Sequence, residues 1–170
     1  GMSVGQSDEH QRNWTEKGWE WATKHGNYDR NREHLNFEIV KGGIIQPVDK
    51  SRTITRRMAD NLRERGITDP NAKLCEPQYR TVANIIFGGS RERMHEIAFG
   101  NQRVDFTHGA DNSHIRRNKD IERWAMDVYR FACEHWGEEN VIGFYVHLDE
   151  LNPHVHCTVI PVDERNKISF

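Results

Sequence analysis

What this chain of 170 residues lacks narrows it first. No apolar run approaches the ~20 residues that a membrane-spanning helix needs. The opening residues, Gly1-Met-Ser-Val-Gly-Gln-Ser-Asp8, are polar and contain no secretory hydrophobic region. Gly1 ahead of Met2 reads as the remnant of a tag. Cysteine is scarce: Cys75, Cys133 and Cys157 are odd in number, widely spaced and never paired as C-x-x-C, so they read as reduced cytosolic thiols. Cys133 and Cys157 fall in apolar patterns that belong to a core. Apolar residues make up only 35% and charged ones 29%, which suits one domain with a small core and polar arms. Charge of one sign is also missing: 24 Lys and Arg stand against 26 Asp and Glu, and a net charge of −2 exerts no global pull on nucleic acid.

The local distribution of charge matters more. Arg52, Arg56, Arg57, Arg63 and Arg65 share one segment, Arg91 and Arg93 form a pair, and Arg116, Arg117 and Lys119 follow His114. Basic clusters can contact phosphates. A solvated helix face explains any single cluster as well, and acidic neighbours such as Asp60 and Glu64 favour that plainer account.

Residues 1–33 form a polar arm with Trp14, Trp19 and Trp21 embedded in it, and a short helix is expected from Thr15 to Lys24, ending near Gly26. The tryptophans suit core or interface packing better than base stacking. His34 to Val40 alternates as a strand, with Leu35, Phe37 and Ile39 on one face and His34, Asn36 and Glu38 on the other. Lys41-Gly-Gly43 is a turn. A helix opens at Ser51 and runs to about Arg65 before Gly66. Tyr79 to Phe87 reads as a strand, and Ser90 caps a helix from Arg91 to about Phe99. Residues 100–118 read as a long, mobile loop. Asp120 to Trp136 has helical spacing in Ile121, Trp124, Ala125, Val128, Phe131, Ala132 and His135. The whole reads as an α+β sandwich, an antiparallel sheet with helices on one face and an open polar face.

The densest chemistry is His147-Leu-Asp-Glu-Leu-Asn-Pro-His-Val-His156. Imidazole and carboxylate bind divalent Zn, Mn, Fe, Co and Ni. Val141 to Leu148 and His154 to Val162 read as strands around the turn Asp149-Glu-Leu-Asn-Pro153. Alternation puts Ile142, Phe144, Val146 and Leu148 on one face, with Tyr145 and His147 on the other. Val155, Cys157 and Val159 oppose His154, His156 and Thr158 in the same way. Folded as a hairpin, His147, His154 and His156 converge on the polar face as a three-histidine metal site. Three separate surface histidines are the bland alternative. A helical zinc-protease motif is opposed by Pro153 and by the strand periodicity.

The pattern H-x-D-E-x-x-P-H-x-H resembles the third motif of the Mob/Pre (MobV) plasmid mobilisation relaxases, which are HUH endonucleases. Arg32-Glu-His-Leu-Asn-Phe-Glu38 is similar to a second segment of that family, R-x-H-L-N-Y-E, and together the likeness spans most of the chain. It implies a ferredoxin-like, palm-type core with a five-stranded antiparallel sheet over residues 34–170. It also implies metal-dependent nicking of one DNA strand at an origin of transfer, covalent attachment to the 5′ phosphate, and later rejoining. The metal in use would be Mn or Mg, while three histidines with a carboxylate also suit Zn, Ni or Co. Glu150 is expected as a fourth ligand or as the carboxylate that orients the ligands and serves catalysis; Asp149 is expected to be structural. Arg32, His34, Asn36, Arg116, Arg117 and Lys119 are the candidate DNA contacts. The partner would be single-stranded or hairpin DNA, with room for accessory mobilisation or coupling proteins, in the bacterial cytoplasm.

The nucleophile stays open. The family's N-terminal histidine motif, roughly H-N-x-R, is matched in part by His10-Gln-Arg12-Asn; His25 and Tyr28 follow as rivals, in that order. Few residues precede His10 where the family usually has a strand, and no closing element precedes Phe170, as expected for the N-terminal domain of a longer protein. Other families fit less well. Thr158 breaks the histidine-triad hydrolase pattern, the two-histidine phosphoesterases need a second H-x-T or H-x-S copy, and the 120–136 helix opposes a cupin barrel. A non-catalytic origin-binding module and a hydrolytic phosphodiesterase remain the alternatives.

Overall fold

The computed structural model describes residues 2–169. Gly1, read above as a tag remnant, and Phe170 lie outside the described residues. The order is α1 (Val4–Gln11), α2 (Glu16–His25), a 3-10 turn (Arg30–Leu35), β1 (Phe37–Val40), β2 (Ile44–Gln46), α3 (Ile54–Glu64), β3 (Ala83–Phe87), α4 (Arg91–Phe99), α5 (Lys119–Trp136), a second 3-10 turn (Glu138–Asn140), β4 (Val141–His147) and β5 (His154–Val159). The strands form one five-stranded sheet in the order β2-β1-β4-β5-β3, antiparallel throughout.

Local chemistry explains most boundaries. Thr15, Thr53, Ser90 and Asn118 each cap the helix that follows by accepting a backbone N–H. Gly137 stops α5 at φ 91°, a conformation that favours glycine. The β1–β2 reversal uses Gly42 and Gly43, both at positive φ.

Two apolar layers hold the sheet. On one face α4 and α5 bring Met94, Phe99, Ile121 and Ala125 against Phe37, Ile39, Phe144, Val146, Leu148, Val155, Cys157 and Val159. The expected apolar sides of β1, β4 and β5 thus meet in one core. The second layer joins Ile54, Met58 and Leu62 of α3 to Ile142, Tyr145 and Ile160. That layer lies on the histidine-bearing side, where α1 and α3 cover part of the face, burying His147 and leaving His154 and His156 half-buried.

Several expectations change, and the strand expected from His154 to Val162 ends at Val159. The strand expected from His34 begins at Phe37, because Asp29 caps a 3-10 turn that runs through His34 and Leu35. The strand expected from Tyr79 begins at Ala83. The α3 helix starts after Thr53 rather than at Ser51. Ile142 leaves the Phe144 face, because a register shift between Val141 and Gly143 turns it toward Tyr145. The strand β2 and the helix α1 are additional elements. Residues 100–118 carry no helix or strand, yet Asn112 and Ile115 are buried and Asn112 Nδ2 donates to Asp29 and to the Asp105 carbonyl.

Candidate metal centre and nucleophile

The β4–β5 register sets His147 opposite His154 and Tyr145 opposite His156. One ligating atom from each of His147, His154 and His156 lies within 4.8 Å of the others. Their hydrogen bonds decide which nitrogens are free. His147 Nε2 lies 2.7 Å from the His10 carbonyl oxygen. It therefore carries the proton and donates, leaving Nδ1 with the lone pair. His154 Nδ1 likewise donates to the Asn152 carbonyl, 2.7 Å away, which leaves Nε2 free, 3.4 Å from a Glu150 oxygen. His147 Nδ1 and His156 Nδ1 are buried without a hydrogen-bond partner. Buried nitrogens of this kind are costly unless something satisfies them, and ring nitrogens fixed by a carbonyl on the far side are typical of metal ligands. The donor set fits a divalent cation.

Burial keeps His147 and His156 neutral, as ligation requires. Burial, then the positive charge of Arg12, pushes His147 well below the ordinary histidine pKa. Burial and the neighbouring His10 and His154 take His156 down to about 3.

α1 brings His10 to this cluster. Its ring lies 4.5 Å from that of His156 and 6.3 Å from that of His147, centroid to centroid. It is buried, its Nδ1 has no hydrogen-bond partner, and burial lowers its pKa to about 4. Three bonds lock α1 in place: Ser7 Oγ accepts from Ile54 N, and Gln11 Nε2 donates to the Arg52 carbonyl and to the Tyr145 hydroxyl. Arg12 ends the helix at φ 56°, an uncommon conformation for a residue with a side chain. It is held there by Asp149, at 2.9 and 3.0 Å, and by Glu150 and the Glu9 carbonyl.

The rival nucleophiles lie elsewhere. His25 is exposed, stacked on Trp21 at 4.8 Å and bonded to its carbonyl. Tyr28 lies beneath the Arg12 guanidinium, 4.6 Å from it, and donates to Glu9. Burial and the charges of Glu150 and Glu9 raise its pKa, which keeps the phenol protonated.

The candidate DNA contacts divide. Arg32 is 1% exposed and donates to the Leu148 and Glu150 carbonyls and to Asp29; Asn36 is buried and accepts from Leu148 N. Both brace the histidine hairpin from within, and their burial opposes a place on a DNA-facing surface. Arg117 donates to the Leu35 carbonyl and covers the Phe37 ring. His34, Arg116 and Lys119 are exposed. Asp60 collects Arg52, Arg56 and Arg63, and Arg57 pairs with buried Glu38. Trp19 is buried and Trp14 packs edge-on against it, whereas Trp21 is exposed. Sequence reasoning gave no role to Gln11 or to the Arg12–Asp149 pair. Arg12 beside His10 was the available signal, but its partner lies 137 residues away.

The fold and site define an α+β domain in which antiparallel strands present a three-histidine cluster. Comparison with solved structures agrees. The chain matches the MobM relaxase domain (MOBV; Mob_Pre) in its Mn-bound complex with plasmid pMV158 oriT DNA, at a TM-score of 0.62 and 19% identity, over 99% of this chain and 70% of that one. A second structure of that domain gives a TM-score of 0.63 at 18% identity. In sequence, residues 96–169 match the Mob_Pre family, plasmid recombination enzyme. A plasmid recombination enzyme type 1 of Staphylococcus aureus is 37% identical over 30% of this chain and 13% of its own length. One from Lactiplantibacillus plantarum is 23% identical over 87% of this chain and 34% of its own length. The chain thus spans about a third or less of these curated relatives. The resemblance to the Mob/Pre relaxases carried by its two motifs holds in both sequence and fold. Among the described residues no helix is long and apolar enough to cross a membrane.

Proposed function

We propose that this chain is the relaxase part of a plasmid or mobile-element mobilisation protein, nicking one DNA strand at an origin of transfer in a divalent-metal-dependent transesterification. The observation that carries the reading is the placement of His10 on the three-histidine cluster, 4.5 Å from the His156 ring. Residues 1–33 and the core at 34–170 then form one catalytic unit. His147, His154 and His156 hold the cation, which when bound neutralises charge developing on the scissile phosphate. Mn is the first choice, since the matched MobM structures are Mn-bound.

His10 is the favoured nucleophile over His25 and Tyr28. Its imidazole lone pair attacks the phosphorus, the P–O3′ bond breaks, and a phosphoramidate N–P bond forms. The imidazole gives up a proton as the 3′ oxygen gains one, so charge balances. Rejoining runs the same steps backwards, with the 3′ hydroxyl as attacker. Glu150, close to His147 and His154, orients the ligands, and Arg12 ties it to the end of α1. Exposed His34, Arg116 and Lys119 remain candidate phosphate contacts. The setting would be the bacterial cytoplasm, with accessory mobilisation or coupling proteins as partners.

The test is incubation with Mn²⁺ and a labelled single strand from the origin of the element that encodes the chain, followed by a denaturing gel. The expected result is a protein–DNA adduct that EDTA prevents, is lost in His10→Ala, and is mapped by mass spectrometry to His10. Cleavage without an adduct would instead support a hydrolytic phosphodiesterase. Binding alone would support a non-catalytic origin-binding module.

A further inference from the structure

Burial around the histidine cluster is lopsided. His147 is enclosed, His154 and His156 are half-buried, and one strand further out Ile86 is 64% exposed. The register makes this a row across one face: Tyr145 on β4 stands opposite His156 on β5, which stands opposite Ile86 on β3. On the β4 side the cluster is closed by α1, Arg12 and the Asp149–Glu150 turn. On the β3 side lies the edge of the sheet. There the chain runs into Gly88 and Gly89, both exposed. A Cβ added to Gly88 would find one neighbour within 4 Å, the His154 Cβ at 3.9 Å. The ground beside His154 is therefore bare.

We propose that single-stranded DNA reaches the metal centre across the β3 edge, with Ile86 as the apolar platform under the base next to the scissile phosphate. Gly88 is the gap that admits the sugar–phosphate backbone to His154. The proposal rests on the relaxase reading and adds to it a path and two positioning residues. Its chemistry is that of the strand itself. A nucleobase has an apolar face that gains from covering an exposed isoleucine, and a backbone can approach closely only where no side chain stands. Duplex DNA keeps those base faces stacked inside, so the platform selects an unpaired strand.

The test uses the intact chain and four readouts: thermal melting, Mn²⁺ binding by calorimetry, binding of labelled oligo-dT in EDTA, and cleavage of the origin strand. Ile86→Ala should weaken oligo-dT binding about tenfold, the effect expected when most of an apolar side chain stops covering a base. Ile86→Phe, with a larger stacking face, should bind more tightly than the unsubstituted chain. Gly88 is not among the glycines at positive φ, so leucine fits its backbone. Gly88→Leu should melt and bind Mn²⁺ as the unsubstituted chain does, while cleavage falls about a hundredfold, as when a reacting group is displaced by about an ångström. Unchanged binding and cleavage in both Ile86→Ala and Gly88→Leu would overturn the proposal. So would loss of Mn²⁺ binding in Gly88→Leu, which would make Gly88 a support of the histidines. If the unsubstituted chain neither binds nor cleaves single strands, the relaxase reading itself falls, and this proposal with it.

Discussion

Replacing Arg12 by alanine tests the joint between α1, which carries the proposed nucleophile His10, and the histidine hairpin. Arg12 is 2% exposed, and its guanidinium is spent on Asp149, which is fully buried, on Glu150 and on the Glu9 carbonyl. Removing the cation strands a buried carboxylate, a change that costs about 3–5 kcal/mol. For a domain of this length each kcal/mol moves the melting temperature by roughly 2–4 °C, so a fall of about 6–20 °C is expected. Lysine should not rescue it, because an ammonium cannot grip both Asp149 oxygens and the Glu9 carbonyl at once. The double variant Arg12→Met with Asp149→Asn removes both charges together. It should be more stable than the two single losses summed, by about 1–3 kcal/mol of coupling in a denaturant-melt cycle. The reasoning is refuted if Arg12→Ala costs less than about 1 kcal/mol, or if the cycle shows no coupling.

Four other outcomes follow from the same contacts. Mn²⁺ at about a hundred times its Kd should stabilise the chain by about 2.7 kcal/mol, a gain that EDTA removes and that His154→Ala never shows in a thermal shift assay. Asn36→Ala leaves the Leu148 N–H without its acceptor at the base of the histidine hairpin; calorimetry should register a loss of about 1–3 kcal/mol. Arg57→Ala exposes the cost of buried Glu38, which keeps bonds from Gln46 and Asp49 N, so denaturant melts should show a loss near the lower end of about 3–5 kcal/mol. In the folded chain a disulfide reagent should label exposed Cys75 quickly, while Cys157, fully buried with its thiol pushed up to about 12, should react only after unfolding.

Much of this arrangement could be read from residue order, for a physical reason. Strand alternation has a period of two and needs no knowledge of the rest of the chain, so the convergence of His147, His154 and His156 follows from a hairpin alone. The α5 stripe and the Ser90 cap are equally local. The failures that touch the site are non-local. Arg32 reads as part of a polar arm and Asn36 as a polar strand residue, yet the fold buries both under the hairpin, where they satisfy the Leu148 and Glu150 carbonyls and the Leu148 N–H. Ile142 changes face through a bulge that periodicity cannot foresee.

The same distinction separates the three candidate nucleophiles. His10, His25 and Tyr28 were hard to separate in sequence because what separates them is burial and partnership, not spacing. A polar octapeptide with little amphipathic signal would not be expected to pack at all, yet Ser7, His10 and Gln11 are its buried residues. Each is accounted for by a contact distant in sequence: Ile54 N for Ser7, the His147 and His156 rings for His10, and Tyr145 with the Arg52 carbonyl for Gln11. A helix held by polar bonds instead of an apolar stripe has little freedom to slide, because each bond fixes direction as well as distance. That suits an element whose task would be to present one imidazole to one phosphate. It also explains why Arg12, the residue that closes the helix in a left-handed conformation, carries more of the site's geometry than its place in a short polar motif suggests.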